Sequence, residues 1–177
     1  MSAEKYLPLP QPEEISTRER EDAMGAYLMM FASLAVGLPL PIINLLAAII
    51  YYFANRKKSR FVHFHVLQSL LSQLPTSLLN ASAVFWTFSI LFSNSPDFAS
   101  DDVQFSTLFS GTYVGYLIMV FIANLIYFIF SIIAATKAHK GRFYYMLFFG
   151  RVSYNIAFSQ NNTLHTPKEE AVNLPPR

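Results

Sequence analysis

Residues 105–136 read FSTLFSGTYVGYLIMVFIANLIYFIFSIIAAT, a run without one Asp, Glu, Lys or Arg. As a single helix it would extend about 48 Å at 1.5 Å per residue, beyond the roughly 30 Å hydrocarbon core of a bilayer. A helix in water needs a solvated face, and this run offers none. Two further stretches, residues 23–53 and 62–92, are equally free of those four residue types. The charges sit between them: Arg56-Lys57-Lys58-Ser59-Arg60, then Asp97, Asp101 and Asp102, then Lys137 to Arg142. A bilayer imposes that sorting, because an ionised side chain at its centre costs roughly 2.5–3.5 kcal/mol on insertion scales. The chain reads as an all-α integral membrane protein.

Composition agrees. Of 177 residues, 53% are hydrophobic and only 14% charged, against about 25% charged in an ordinary soluble domain. There is room for one small bundle and no separate soluble domain. The net charge of +2 is slight, and the basic residues flank apolar segments. They read as topology signals and headgroup contacts, not as a nucleic-acid surface. Without cysteine a disulfide, a thiolate nucleophile, a zinc–thiolate site and an iron–sulfur centre are all excluded. The polar, Pro-rich start lacks a basic region followed by an apolar core, so no cleavable signal peptide is expected.

Four regions are expected. Residues 1–22 form a disordered Pro-rich terminus and a helix start, where Ser16 and Glu19 have capping-box spacing. Residues 23–142 form the transmembrane bundle, with three long segments. The first is broken at Pro39 and Pro41, each lacking a backbone donor, with Asn44 placed to satisfy the carbonyls released there. One kinked crossing or two half-helices folded back as a hairpin, giving four helices in all, both fit; each half is short for a crossing, which favours the single broken span. Residues 143–158, rich in Phe, Tyr and Met beside Lys and Arg, suit the headgroup boundary as an interfacial segment. Residues 159–177 read as a disordered tail.

The second segment carries a polar stripe. At 100° per residue His65, Gln68, Ser69, Ser72, Thr76, Asn80 and Thr87 fall within a sector of about 120°, with Gln73 at its edge and leucines opposite. These side chains, His65, Gln68, Ser72, Gln73, Thr76 and Asn80 above all, would contact partner helices or line a watery crevice. In the bland alternative His65 and Gln68 bond across helices or to the ends of the broken first segment. Metal ligation fits poorly: His63 and His65, two apart, diverge by about 200° on a helix, and no acid or thiol lies near in sequence. Gly111 and Gly115 form a G-x-x-x-G that permits close helix approach. No catalytic motif or carboxylate pair falls in the apolar regions, so no enzyme activity, cofactor or metal is expected.

Three motifs carry a family resemblance. They are Pro39-Leu-Pro-Ile-Ile-Asn44 before the basic turn, Phe61-Val62 with His65, Gln68, Leu70 and Gln73, and Ile132-Ile-Ala-Ala-Thr-Lys137 continuing through Gly141 to Tyr144. Over residues 20–150 the chain resembles the Tic-like bacterial membrane proteins related to the twenty-kilodalton component of the chloroplast inner-envelope translocon. It departs from that pattern at His63, where many members carry an acid. The resemblance implies a helical bundle in the bacterial inner membrane and, in the chloroplast branch, membership of a protein-import channel.

Together these readings predict a non-enzymatic membrane subunit or scaffold. It would meet the lipid bilayer and either other membrane proteins or further copies of itself. The alternative is a component of a transport or protein-translocation path lined by the polar stripe. The basic loops 56–60 and 137–142 should face the cytoplasm, under the bias of Lys and Arg toward that side.

Overall fold

The computed structural model describes residues 9–32, 41–92 and 106–159. The regular structure there is helical. Helix α1 spans Thr17–Leu28 and runs into a 3-10 turn, Met29–Phe31; α2 spans Pro41–Asn55, α3 Arg60–Leu91, α4 Gly111–His139 and α5 Leu147–Ala157. Only α3 and α4 are long and apolar enough to cross a membrane among the described residues; α2 is a shorter apolar helix.

Each start has a local cause. Ser16 Oγ accepts from the Glu19 amide while the Glu19 carboxylate accepts from the Ser16 amide at 2.9 Å, closing the capping box. Ser59 and Ser110 cap α3 and α4 in the same way, accepting from the amides of Val62 and Tyr113. Pro41 opens α2, a position where its missing N–H is no loss. After α4 the chain turns through Gly141 at φ +68°. A Cβ there would also stand 3.2 Å from the Pro12 carbonyl oxygen, so both backbone and space call for glycine.

The described parts of the first apolar segment form two helices that pack side by side. Its two flanks meet at the same, basic end: Lys58 Nζ lies 2.7 Å from Asp22 Oδ2, and the Tyr51 hydroxyl donates to the Asp22 carbonyl at 2.9 Å. At the other end Phe31 and Asn44 line one cavity. Helices α1 and α2 therefore run antiparallel, and α2 at 15 residues reaches only about 22 Å. The break expected at Pro39 lies outside the described residues, as do the Asp97–Asp102 loop, residues 1–8 and the tail from residue 160.

Residues 9–16, expected to be disordered with the rest of the N-terminus, are mostly exposed but carry local structure. Pro12–Glu14 form a 3-10 turn, Ile15 is buried, and the Arg20 guanidinium donates to the carbonyls of Pro12 and Ile15. The core lies at this basic end. Ala23, Ala26 and Tyr27 of α1 share it with Phe61, Val62 and Val66 of α3 and Ala134, Ala135 and Ala138 of α4. The small residues let α1 approach α4 closely. Gly111 and Gly115 do not serve that purpose: a Cβ on either would meet nothing within 4 Å.

Residues 143–158, expected to be interfacial, lie against the bundle by one face, with Met146, Ala157 and Phe158 buried and Leu147, Phe148, Val152 and Ile156 exposed. From Gly141 the chain passes along α3, with the Phe143 ring 5.2 Å from that of Phe61 and 5.1 Å from that of Phe64. Met146, Leu147 and Phe149 reach the level of Ser72 and Pro75. The chain reverses at Leu147, whose φ of +33° is a conformation costing an L-residue on the order of 1–3 kcal/mol. Helix α5 then returns to the basic end, where Arg60 donates to the carbonyls of Ala157 and Ser159.

Candidate functional site

The residues of the predicted stripe separate into two groups. His65 and Gln68 lie in the basic-end core, Ser72 marks the boundary, and Gln73, Thr76 and Asn80 lie at mid-span.

Gln68 is fully buried and uses both ends of its amide. Nε2 donates to the Tyr144 carbonyl at 2.9 Å and to the Tyr27 hydroxyl at 2.8 Å, while Oε1 accepts from the Met146 amide at 3.3 Å. Residues 142–146 are non-helical, and although the Arg142 amide and the Met146 carbonyl find backbone partners, burying others of their backbone groups unpaired would be costly. Gln68 supplies a partner to two of them, at alternate residues, as a neighbouring strand would. Gly150 lets α5 close over this contact: a Cβ there would fall 2.6 Å from Tyr145 Cα and 2.9 Å from Gln68 Oε1.

His65 completes the group. The Tyr27 hydroxyl, which accepts from Gln68, also bonds His65 Nδ1 at 2.9 Å, the tautomer of the ring setting which of the two donates. His65 Nε2 has no hydrogen-bond partner among the described residues, and the rings of Phe61, Phe64 and Phe143 surround the imidazole at 4.5, 4.9 and 5.8 Å. His63 faces Tyr52 instead, at 5.9 Å. Among the described residues no three His, Asp or Glu side chains gather as a metal site would require. Ser69 donates to the Ala26 carbonyl at 2.7 Å, another tie between α3 and α1.

Outside the spans, one carboxyl is visibly tuned. Partial burial pushes Glu19 up, yet hydrogen bonds from Ser16 and Ser59 outweigh it and hold the group below its ordinary range.

At mid-span the amides of Asn80 and Asn124 bond reciprocally, both at 2.9 Å, and Asn124 also donates to the Val120 carbonyl. Beyond them Tyr116 donates to the Leu79 carbonyl, and the Tyr113 hydroxyl donates to Thr87 Oγ1 at 2.6 Å, whose own proton goes to the Ala83 carbonyl. Ser72 and Thr76 turn their hydroxyls back on their own helix, donating to the carbonyls of Ser69 and Gln73. Gln73, Thr76, Asn80, Asn124, Tyr127 and Asn44 line a cavity of about 340 Å³.

Residues 20–152 match the family model for MamF and MmsF, the magnetosome magnetite crystal formation protein family. The chain belongs to that family. The match runs from α1 into α5 and so encloses both the buried Gln68 group and the mid-span cavity. It replaces the Tic-like resemblance, whose motifs (the broken first segment, the basic turn and the His65–Gln73 spacing) are features of helix entry and turning rather than of translocation. No curated relative and no solved structure matches the chain. With two apolar spanning helices, this MamF/MmsF member is a membrane protein.

Tyr27, Tyr144 and Met146 went unrecognised in the sequence as partners of Gln68. Asn124 and Tyr127 do share a helix side by spacing, but nothing in that spacing links them to Asn80 or Gln73.

Proposed function

We propose that the protein is a non-enzymatic subunit of the magnetosome membrane. It would contribute to magnetite crystal formation by holding neighbouring membrane proteins in place, or further copies of itself. One observation carries this reading: among the described residues, none covers the far half of the α3–α4 pair. Phe85, Phe88, Ile118 and Phe121 are more than half exposed, and Gly111 and Gly115 leave room for a foreign helix backbone beside them. In this reading loops 56–60 and 137–142 face the cytoplasm, and the antiparallel α1–α2 pair puts Thr17 on that same side. Translocation finds no support, because the basic-end half of the stripe is consumed by contacts within the chain.

The test is a Gly115→Leu exchange in the native host. Magnetite crystals should change in size or number while the protein stays at its normal level in the magnetosome membrane. Unchanged crystals, with the variant made at normal level, would refute the reading.

A further inference from the structure

The chain occupies the two leaflets unequally. Helices α3 and α4 are long enough to cross the whole bilayer, whereas the other helices run alongside them from the basic end and stop near the middle. At the deep end of α1 the Phe31 ring lies 5.9 Å from that of Phe128, close to the midpoint of α4. Asn44, at the deep end of α2, shares a cavity lining with Asn80 and Asn124. The arm turns at Met146 and Leu147 beside Pro75, Ala123 and Ile126, at much the same depth.

These shorter elements present apolar faces outward. On α2, Ile42, Leu46, Ile50 and Phe53 are each more than half exposed, and their spacing makes one continuous stripe. It runs about 16 Å, close to half of a roughly 30 Å hydrocarbon core. One end is marked by Arg56, whose guanidinium lies 4.6 Å over the Phe53 ring, and by the basic turn to Arg60. The stripe therefore begins at the headgroups and ends at mid-bilayer, and acyl chains are what covers it. On α5, Leu147, Phe148, Val152 and Ile156 form a second exposed apolar face. Arg151 is exposed on the same helix, and its side chain is long enough to carry the charge back toward the headgroups.

Helices α1, α2 and α5 thus add to α3 and α4 on the basic side alone, among the described residues. A helix about 10–12 Å across occupies roughly 100 Å², so the basic-side cross-section is larger by about 300 Å². Dilating one leaflet bends a bilayer convexly toward that leaflet, which is why helices inserted in one leaflet respond to curvature.

We propose that the protein is a one-leaflet wedge that favours a bilayer curved convexly toward its basic end. In the orientation given above that is the cytoplasmic side, but the preference itself requires no partner protein.

The test uses the full-length protein at low density in phosphatidylcholine vesicles, extruded to large diameter or sonicated to small. The chain has no cysteine, so Lys57→Cys reports the side of the basic end through a membrane-impermeant maleimide. The ratio of outward to inward molecules should rise severalfold from large to small vesicles. An equal or lower ratio in small vesicles overturns the proposal. A fluorophore on Ile42→Cys or Phe148→Cys should be quenched by lipids brominated in the chain. Unquenched probes mean that water or a second copy covers these faces, which overturns it too. Ile42→Lys with Leu46→Lys should drive the deep end of α2 out of the hydrocarbon, and Phe148→Lys with Val152→Lys should do so for α5. Each pair replaces exposed side chains, and each should lower the ratio in small vesicles. A ratio unchanged in whichever pair stays helical by circular dichroism would assign the bias to mass outside the bilayer and overturn the proposal.

Discussion

The two halves of α3 differ more than their sequences suggest. From Phe61 to Ser69 every residue is buried, enclosed by α1, by the C-terminal arm and by the last turns of α4. From Leu74 to Leu91 the helix shows leucines and phenylalanines outward and is tied to α4 by a few polar pairs. Apolar residues occur throughout both halves. What distinguishes the basic half is that short flanking segments fold back onto it. Gln68 and Ser69 there bond within the fold, while His65 Nε2 and, at mid-span, Gln73 Oε1 have no hydrogen-bond partner among the described residues. The contrast separates the part that specifies the fold from the part open to the membrane and its contents.

Substituting Gln68 should expose that contrast most sharply. Gln68→Leu strands the Tyr144 carbonyl and the Met146 amide, at about 1–3 kcal/mol for each group. We expect a lower melting temperature in detergent and cleavage of residues 142–159 at protease levels that spare the wild type. An unchanged melting temperature would mean that the arm is held by its aromatic side chains alone. Gly150→Ala should act on the same contact by crowding, at on the order of 1–3 kcal/mol, and should loosen the arm without disturbing Asn80 and Asn124.

The mid-span pair should matter less. Asn80→Leu and Asn124→Leu should each destabilise by about 0.6–1.7 kcal/mol, and the double variant by less than their sum, because the two amides bond each other. A strictly additive cycle would show that the pair is not coupled. Glu19 provides a smaller and pH-dependent effect. Its carboxyl is depressed in the fold, so its contribution is present above the ordinary carboxylate range and is lost as pH falls through the lowered value. Amide exchange at the start of α1 should quicken over that acid range in the wild type and be less dependent on pH in Glu19→Gln.

Charge sorting and periodicity made the spanning helices legible, because both are local. Residues 105–136 and 62–92 have only one way to avoid stranding polar backbone in lipid, and the Ser16–Glu19 spacing fixes a helix start by itself. The fold-back of α1 and α2 was not decided in this way: it depends on Asp22 meeting Lys58 and Tyr51, and two prolines permit either path. The arm was harder still. An aromatic run beside basic residues suits a headgroup layer, and nothing in it marks the contact that joins Gln68 to the backbone of Tyr144 and Met146. The G-x-x-x-G at Gly111 and Gly115 permits close approach without saying whose helix approaches; within this chain it is small alanines of α1 and α4 that do so.

A photocrosslinking scan in native membranes tests the contrast directly, with the reactive side chain placed in turn at Ser69, Ser72, Gly115 and Ile118. The account predicts adducts to other polypeptides from Gly115 and Ile118 and adducts only within the chain from Ser69 and Ser72. Adducts to other proteins from Ser69 or Ser72 would show that the basic half is open and would contradict it.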